Sequence, residues 1–178
     1  DDPGADPLGM LASRRITDAA HVTRGKTKAL IGQCTTYRPG NTDLAWTRIT
    51  PWRGVLASVL DQYDVKVRAA SVTGERISPS ADLMVGWLTK YLKVPVARRN
   101  SAGPGITEVV LETSAGDLRV HRSDGVRAVL SAPDRPDQQV ALRRRELPEL
   151  LTEELRHLDE DDIYAAVTQQ LLKLEEKR

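Results

Sequence analysis

Val65-Lys66-Val67-Arg68-Ala69-Ala70-Ser71-Val72-Thr73, then Ser78-Pro79, then Val94-Pro95-Val96, carry the architecture of the chain. Val65, Val67, Ala69, Ser71 and Thr73 alternate with Lys66, Arg68, Ala70 and Val72, the two-residue period of a strand. Ser78 suits a helix N-cap, because its hydroxyl can accept from a free backbone N–H, and Pro79 suits the first turn. Leu83, Met84, Trp87, Leu88, Tyr91 and Leu92 then recur at three- and four-residue steps, the spacing of a buried helix stripe. Val94-Pro95-Val96 opens a second strand. Strand, helix and strand in this order predict a parallel, right-handed unit.

Working outward, the rhythm shortens downstream. Strand-length segments at 106–112, 118–122, 127–131 and 138–143 are separated by Ala115-Gly116-Asp117, Ser123-Asp124-Gly125 and Pro133-Asp134-Arg135-Pro136. Turn residues at each gap predict an antiparallel meander. Two helices, 147–158 and 159–175, close the chain. Upstream, Asp6-Pro7-Leu8-Gly9 opens a helix with Leu8, Leu11, Ala12 and Ile16 on one face, fading near Ala19-Ala20. A second helix covers 26–34, and Arg38-Pro39-Gly40-Asn41 is a turn. The expected class is α+β: N-terminal helices packed on a mixed, mainly antiparallel sheet with one βαβ unit, and a C-terminal helical hairpin. Residues 1–64 read as a helical segment and 65–178 as the α+β domain, or the two as one continuous domain.

Composition fits that reading. At 178 residues, 40% hydrophobic and 29% charged, the chain can bury one sizeable core. Phe is absent, so Leu, Val, Ile, Trp and Tyr must fill it. A net charge of +1 argues against nucleic acid or a membrane surface as partner. No apolar run approaches the roughly 20 residues that span a bilayer. The one cysteine, Cys34, excludes a disulfide within the chain and points to a reducing cytoplasm. It reads as a small packed side chain between helices. The opening Asp-Asp-Pro, without Met, suggests a piece of a longer protein.

Charge is unevenly spread. From Glu146 to Arg178 there are 10 acidic and 4 basic residues, against 15 and 22 before them. The acidic tail reads first as a solvated helix face, and otherwise as a second contact or an internal complement to the basic body.

The stretch Thr42-Asp43-Leu44-Ala45-Trp46-Thr47-Arg48-Ile49-Thr50-Pro51-Trp52-Arg53 carries the contact signal. Thr42 reads as a cap and Asp43 as a complement to the helix dipole. Ala45, Ile49, Trp52, Leu56, Val59 and Leu60 form one apolar face of a helix running to about residue 63, with Trp46, Arg48 and Arg53 off that face. Pro51 demands a kink or two helices meeting, with Thr50 capping the second. Tryptophan and arginine are frequent interface anchors, so Trp46, Arg48, Trp52 and Arg53 are the candidate partner-binding residues, Trp52 being the best placed of them for the core.

Other candidates are weaker. Arg98, Arg99, Gly103 and Gly105 make a basic, Gly-rich loop whose N–H groups suit an anion, but it matches neither phosphate-loop nor dinucleotide spacing and lacks a helix start. Arg143-Arg144-Arg145 reads as a basic patch able to pair with the acidic tail. His21, His121 and His157 lie too far apart for metal spacing and read as surface residues. The run Asp159-Glu160-Asp161-Asp162 reads as helix-start chemistry. No nucleophile–base arrangement is present, and the residues argue against an enzyme.

Several segments resemble one family in order and spacing: Asp6-Pro7-Leu8-Gly9, Arg14-Arg15-Ile16-Thr17-Asp18-Ala19, the Thr42–Arg48 core, Val72-Thr73-Gly74-Glu75, Ser78-Pro79-Ser80, Gly86-Trp87-Leu88, Val94-Pro95-Val96, Gly103-Pro104-Gly105-Ile106-Thr107-Glu108-Val109 and 153–159. They resemble the C-terminal part of the OpcA family, the glucose-6-phosphate dehydrogenase assembly proteins, in its actinobacterial type. The resemblance implies a cytoplasmic, non-catalytic accessory protein, without cofactor or metal, that binds the dehydrogenase of the oxidative pentose phosphate pathway and promotes its assembly or activation. It carries over no catalytic residues. Family members have an additional N-terminal domain, expected upstream. Cyanobacterial relatives are linked to thioredoxin through cysteines, and a single Cys34 departs from that pattern. The alternative is a regulatory domain binding a sugar phosphate or nucleotide at the Arg98–Gly105 loop.

Overall fold

The computed structural model describes residues 4–157 and 159–177. Its centre is the predicted unit: β3 (Val67–Glu75), α5 (Pro79–Leu92) and β4 (Val96–Ser101). Strands β3 and β4 run parallel, with Ser71 opposite Ala97. Ser78 caps α5 by accepting from the Ala81 N–H, and Pro79 stands in its first turn. Lys93, in left-handed conformation at φ 55°, ends it.

The meander follows as β5 (Ile106–Thr113), β6 (Gly116–His121), β7 (Arg127–Ser131) and β8 (Gln138–Ala141). All are antiparallel neighbours, giving the order β4-β3-β5-β6-β7-β8. Register aligns one apolar column across the sheet: Val72 opposite Val109, Val109 opposite Val120, Val120 opposite Leu130. These residues are buried, while Arg119 and His121 on β6 point to solvent. That is the alternation of a sheet covered on one face.

Helices α6 (Leu147–Arg156) and α7 (Asp162–Glu175) complete the fold. They rest on different partners instead of packing closely on each other as a hairpin would. Helix α7 packs on α5 and on α2 (Lys26–Thr35), and α6 packs on α3 (Leu44–Thr47). A Cβ at Gly86 would lie 3.1 Å from Leu171 and 3.2 Å from Val167, so glycine permits the close α5–α7 approach. The expected helix end at Leu158 lies outside the described residues.

The N-terminal third departs most from expectation. The first helix, α1, spans only Pro7–Leu11, capped by Asp6. Ile16 is not on its face. It belongs to β1 (Arg15–Thr17), which pairs in parallel with β2 (Asn41–Asp43). A three-residue strand has too few positions to show a period, and its partner lies 26 residues away. The turn before β2 closes through Gly40, at φ +84°, where a Cβ would collide with the Ser13 carbonyl. The helix expected from residue 43 is two helices meeting: α3 and α4 (Thr50–Gln62), with Pro51 in the first turn of α4. Asp43, not Thr42, caps α3, and Thr50 is the first helical residue of α4 instead of its cap. The predicted face of Ala45, Ile49, Trp52, Leu56 and Val59 is buried, with Leu60 beside it. One continuous hydrophobic cluster joins these residues to the sheet column and to Val167 and Leu171.

Candidate functional site

The contact stretch hangs from Asp43, which is fully buried. Its carboxylate accepts from the Ala45 N–H at 2.8 Å, the Ala19 N–H at 2.9 Å and the Thr17 hydroxyl at 2.7 Å. Burial pushes this carboxyl up, and the three bonds act against that push. One side chain thus caps α3 and ties it to the chain after β1.

From this anchor the four candidate contact residues diverge. Trp46 is 1% exposed and so lies in the core, not off the apolar face. Its Nε1–H donates to Asp161 at 2.7 Å, and its ring packs against Tyr164 with centroids 5.6 Å apart. The Arg53 guanidinium lies 3.7 Å from the centre of the Trp46 ring, a cation–π contact. Burial pulls the Arg53 pKa down. Trp52 is 2% exposed. Arg48 reaches outward and grips Asp18 with both Nη atoms at 2.7 Å. His21 bonds the same carboxylate at 2.7 Å. Burial raises the Asp18 carboxyl, but the Arg48 bonds and charge outweigh it and hold the group below its ordinary value.

The Gly-rich loop is occupied from within. Gly103 and Gly105 both take positive φ, and the Gly105 N–H donates to Glu75 at 3.2 Å. A Cβ at Gly103 would press to 2.9 Å from Glu75 Cγ. The loop therefore folds around a carboxylate of its own chain. Arg98 lies 3.4 Å from Asp82 and donates to the Gly74, Glu75 and Arg99 carbonyls. Arg99 stands exposed on β4.

The acidic tail is spent internally at its first helix. Arg143 pairs with Glu149, whose carboxyl the arginine bonds hold down to about 2, and Arg145 pairs with Glu153. Arg14 pairs with Glu154 at 2.9 Å, and Glu154 also accepts from Thr47 at 2.6 Å. The solvated face expected of the tail is thus in good part an internal complement to the basic body.

What the structure brings together is a cleft of about 470 Å³ between the α3–α4 corner and the sheet. Arg48, Trp52 and Gly105, expected at two separate sites, share its wall with the 143–145 run. Trp46, Arg53, Arg98, Arg99 and Gly103 do not line it. Arg122 does, and sequence reasoning missed it as the end of a strand. It is 6% exposed, donates to the Leu142 carbonyl at 2.8 Å and the Ile106 carbonyl at 3.0 Å, and stands 5.1 Å from the Trp52 ring centre. Its Nε has no partner. Burial lowers its pKa to about 10. Asp18, Glu154 and Asp161 were missed too, because each acts through a partner far away in the chain.

Basic side chains dominate the charged part of the cleft wall, and its two serines are engaged within the fold. The Ser78 hydroxyl accepts from Ala81 and the Ser80 hydroxyl donates to the Ala45 carbonyl. Among the described residues no group of three His, Cys, Asp or Glu side chains is arranged for a metal, and no helix is long and apolar enough to cross a membrane. Cys34 is 1% exposed, and burial pushes its thiol up to about 12.

No curated protein matches the chain. The family model described as the C-terminal domain of the glucose-6-phosphate dehydrogenase subunit matches residues 39–168, which run from the turn before β2 into α7. That span holds the contact stretch, the βαβ unit, the meander and most of the cleft wall. The chain therefore belongs to the OpcA family, as the C-terminal domain of its glucose-6-phosphate dehydrogenase assembly proteins.

Proposed function

We propose that this chain is a non-catalytic assembly factor and allosteric activator of glucose-6-phosphate dehydrogenase, acting in the cytoplasm on the oxidative pentose phosphate pathway. The observation that carries the reading is the family match over 39–168, which names association with that enzyme. An activator works only by binding the active state of its partner better than the inactive one. In this reading the stretch from Trp46 to Arg53 is the docking element. Arg48, held by Asp18, gives the element its polar edge, while Trp46, Trp52 and Arg53 form the stiff support behind it. Stiff support suits an interface, since a pre-ordered surface loses less entropy on binding. Control by thioredoxin through Cys34 has no support, because a buried thiol held neutral is a poor nucleophile.

The test mixes the purified chain with the dehydrogenase from the same organism. Co-elution on a sizing column, with a lower half-saturation or a higher rate of NADP reduction, is the expected outcome. Arg48→Gln should weaken co-elution while the circular dichroism spectrum is unchanged. Absence of both co-elution and a kinetic effect would overturn the reading for this chain.

A further inference from the structure

We propose that the cleft between the α3–α4 corner and the sheet is a binding site for a small phosphorylated ligand, gripped by Lys26 and Arg144 above the buried guanidinium of Arg122. This goes beyond the partner reading and does not rest on it.

Three of the cations on the cleft wall are already neutralised. Arg48, Arg143 and Arg145 on the wall each hold a carboxylate, Asp18, Glu149 and Glu153 in turn. Lys26, Arg122 and Arg144 hold none among the described residues. Arg122 is the informative one. A guanidinium this buried normally faces a carboxylate, because backbone carbonyls alone leave its charge uncompensated. Arg144 stands close enough to press its pKa further down. Asp124 opposes that push, but its Oδ1 already accepts from the Val126 and Arg127 N–H groups at 2.8 and 2.9 Å. The carboxylate on the wall itself, Glu75, is engaged with Gly105. The buried charge of Arg122 therefore has no carboxylate bonded to it among the described residues, and an anion settling against it would meet weak screening.

Two further features fit a phosphate group. The first turn of the 14-residue helix α5, Ser78 to Ser80, lines the cleft, so its dipole adds partial positive charge there. Trp52 supplies a flat apolar wall beside Arg122 for the rest of the ligand. The volume of about 470 Å³ falls in the range of small-molecule pockets, room for a phosphate ester and not only a bare ion. A concave pocket with its charge at the floor favours a compact ligand over an extended acidic polypeptide, which a broad charged surface would serve better.

Inorganic pyrophosphate is the probe. Titrated calorimetrically into the 178-residue chain, it should show one saturable site that weakens with added salt. Lys26→Ala and Arg144→Ala, at a half-buried and an exposed residue that hold no carboxylate among the described residues, should each weaken binding about tenfold. Arg99→Ala should leave it unchanged. Absence of saturable binding at millimolar pyrophosphate overturns the proposal. So does binding that survives both cleft variants but is lost in Arg99→Ala, which would return the site to β4. Tighter binding of hexaglutamate than of pyrophosphate overturns it in favour of an acidic protein segment. None of these measurements involves the dehydrogenase, so their failure leaves the partner reading standing.

Discussion

Trp46 and Trp52 lie six residues apart, both are buried, and each carries a guanidinium beside its ring. They differ in what closes the pair. At Trp46, Arg53 covers the ring and Asp161 from the C-terminal region takes the indole N–H. At Trp52, Arg122 takes the place of Arg53, and among the described residues its guanidinium hydrogen-bonds the Leu142 and Ile106 carbonyls and no carboxylate. The first arrangement includes an acid and lies away from the cleft. The second lacks one and opens on the cleft. The same two residue types thus sit in two electrostatic settings, one with a carboxylate of the chain beside it and one facing the cleft.

The largest effect that would sharpen this comparison is a packing one. Trp46→Ala and Trp52→Ala should each destabilise by about 3–5 kcal/mol in urea unfolding, since both remove a buried indole. Near-equal losses would confine the difference between the two sites to charge. A small loss at Trp52 alone would break the comparison, because the cleft floor would then not be packed. Next is Asp161→Ala, which removes the indole acceptor and the bond to the Tyr164 N–H that caps α7. We expect about 2 kcal/mol, read from the shift in denaturant midpoint. Arg122→Met should stay within about 1 kcal/mol of the parent chain, relief of a desolvated charge offsetting two lost carbonyl bonds. A loss as large as that at Asp161 would mean that Arg122 is as structural as Arg53.

The smallest effect lies at the lip of the cleft. The Asp18 carboxyl is held below its ordinary 3.8, so its contribution is present above that pH and fades as pH falls through the lower folded value. Asp18→Asn should cost under about 1 kcal/mol at pH 7 and progressively less below pH 4, by thermal melts across that range. A cost that grows on acidification would reverse the sign and remove Arg48 as the partner of Asp18.

The sheet was readable because its signals are local. Ser78-Pro79 marks a helix start by its own chemistry, and Ser123-Asp124-Gly125 marks a turn whatever surrounds it. Arg127–Ser131 is a strand at the bounds expected of it. The N-terminal third was less readable because its order is borrowed. The strand β1 exists through β2, and Asp43 is a buried hub only because Thr17 and Ala19 come to it. The periodicity of α4 identified Trp52 as core, but Trp46 left no such trace. Its polar edge is satisfied by Asp161, which read as an acid at a helix start. Arg122 was invisible for the opposite reason. Nothing in a strand ending in arginine says that its neighbours will be carbonyls.

The bond between Trp46 and Asp161 spans 115 residues, and that between Arg14 and Glu154 spans 140. On a ribosome adding about 5–20 residues per second, on the order of ten seconds separate the synthesis of Trp46 from that of Asp161. Until Glu154 and Asp161 emerge, the Arg14 guanidinium and the Trp46 indole N–H must be answered by water or by a chaperone, and a chain stalled near Arg145 would display them.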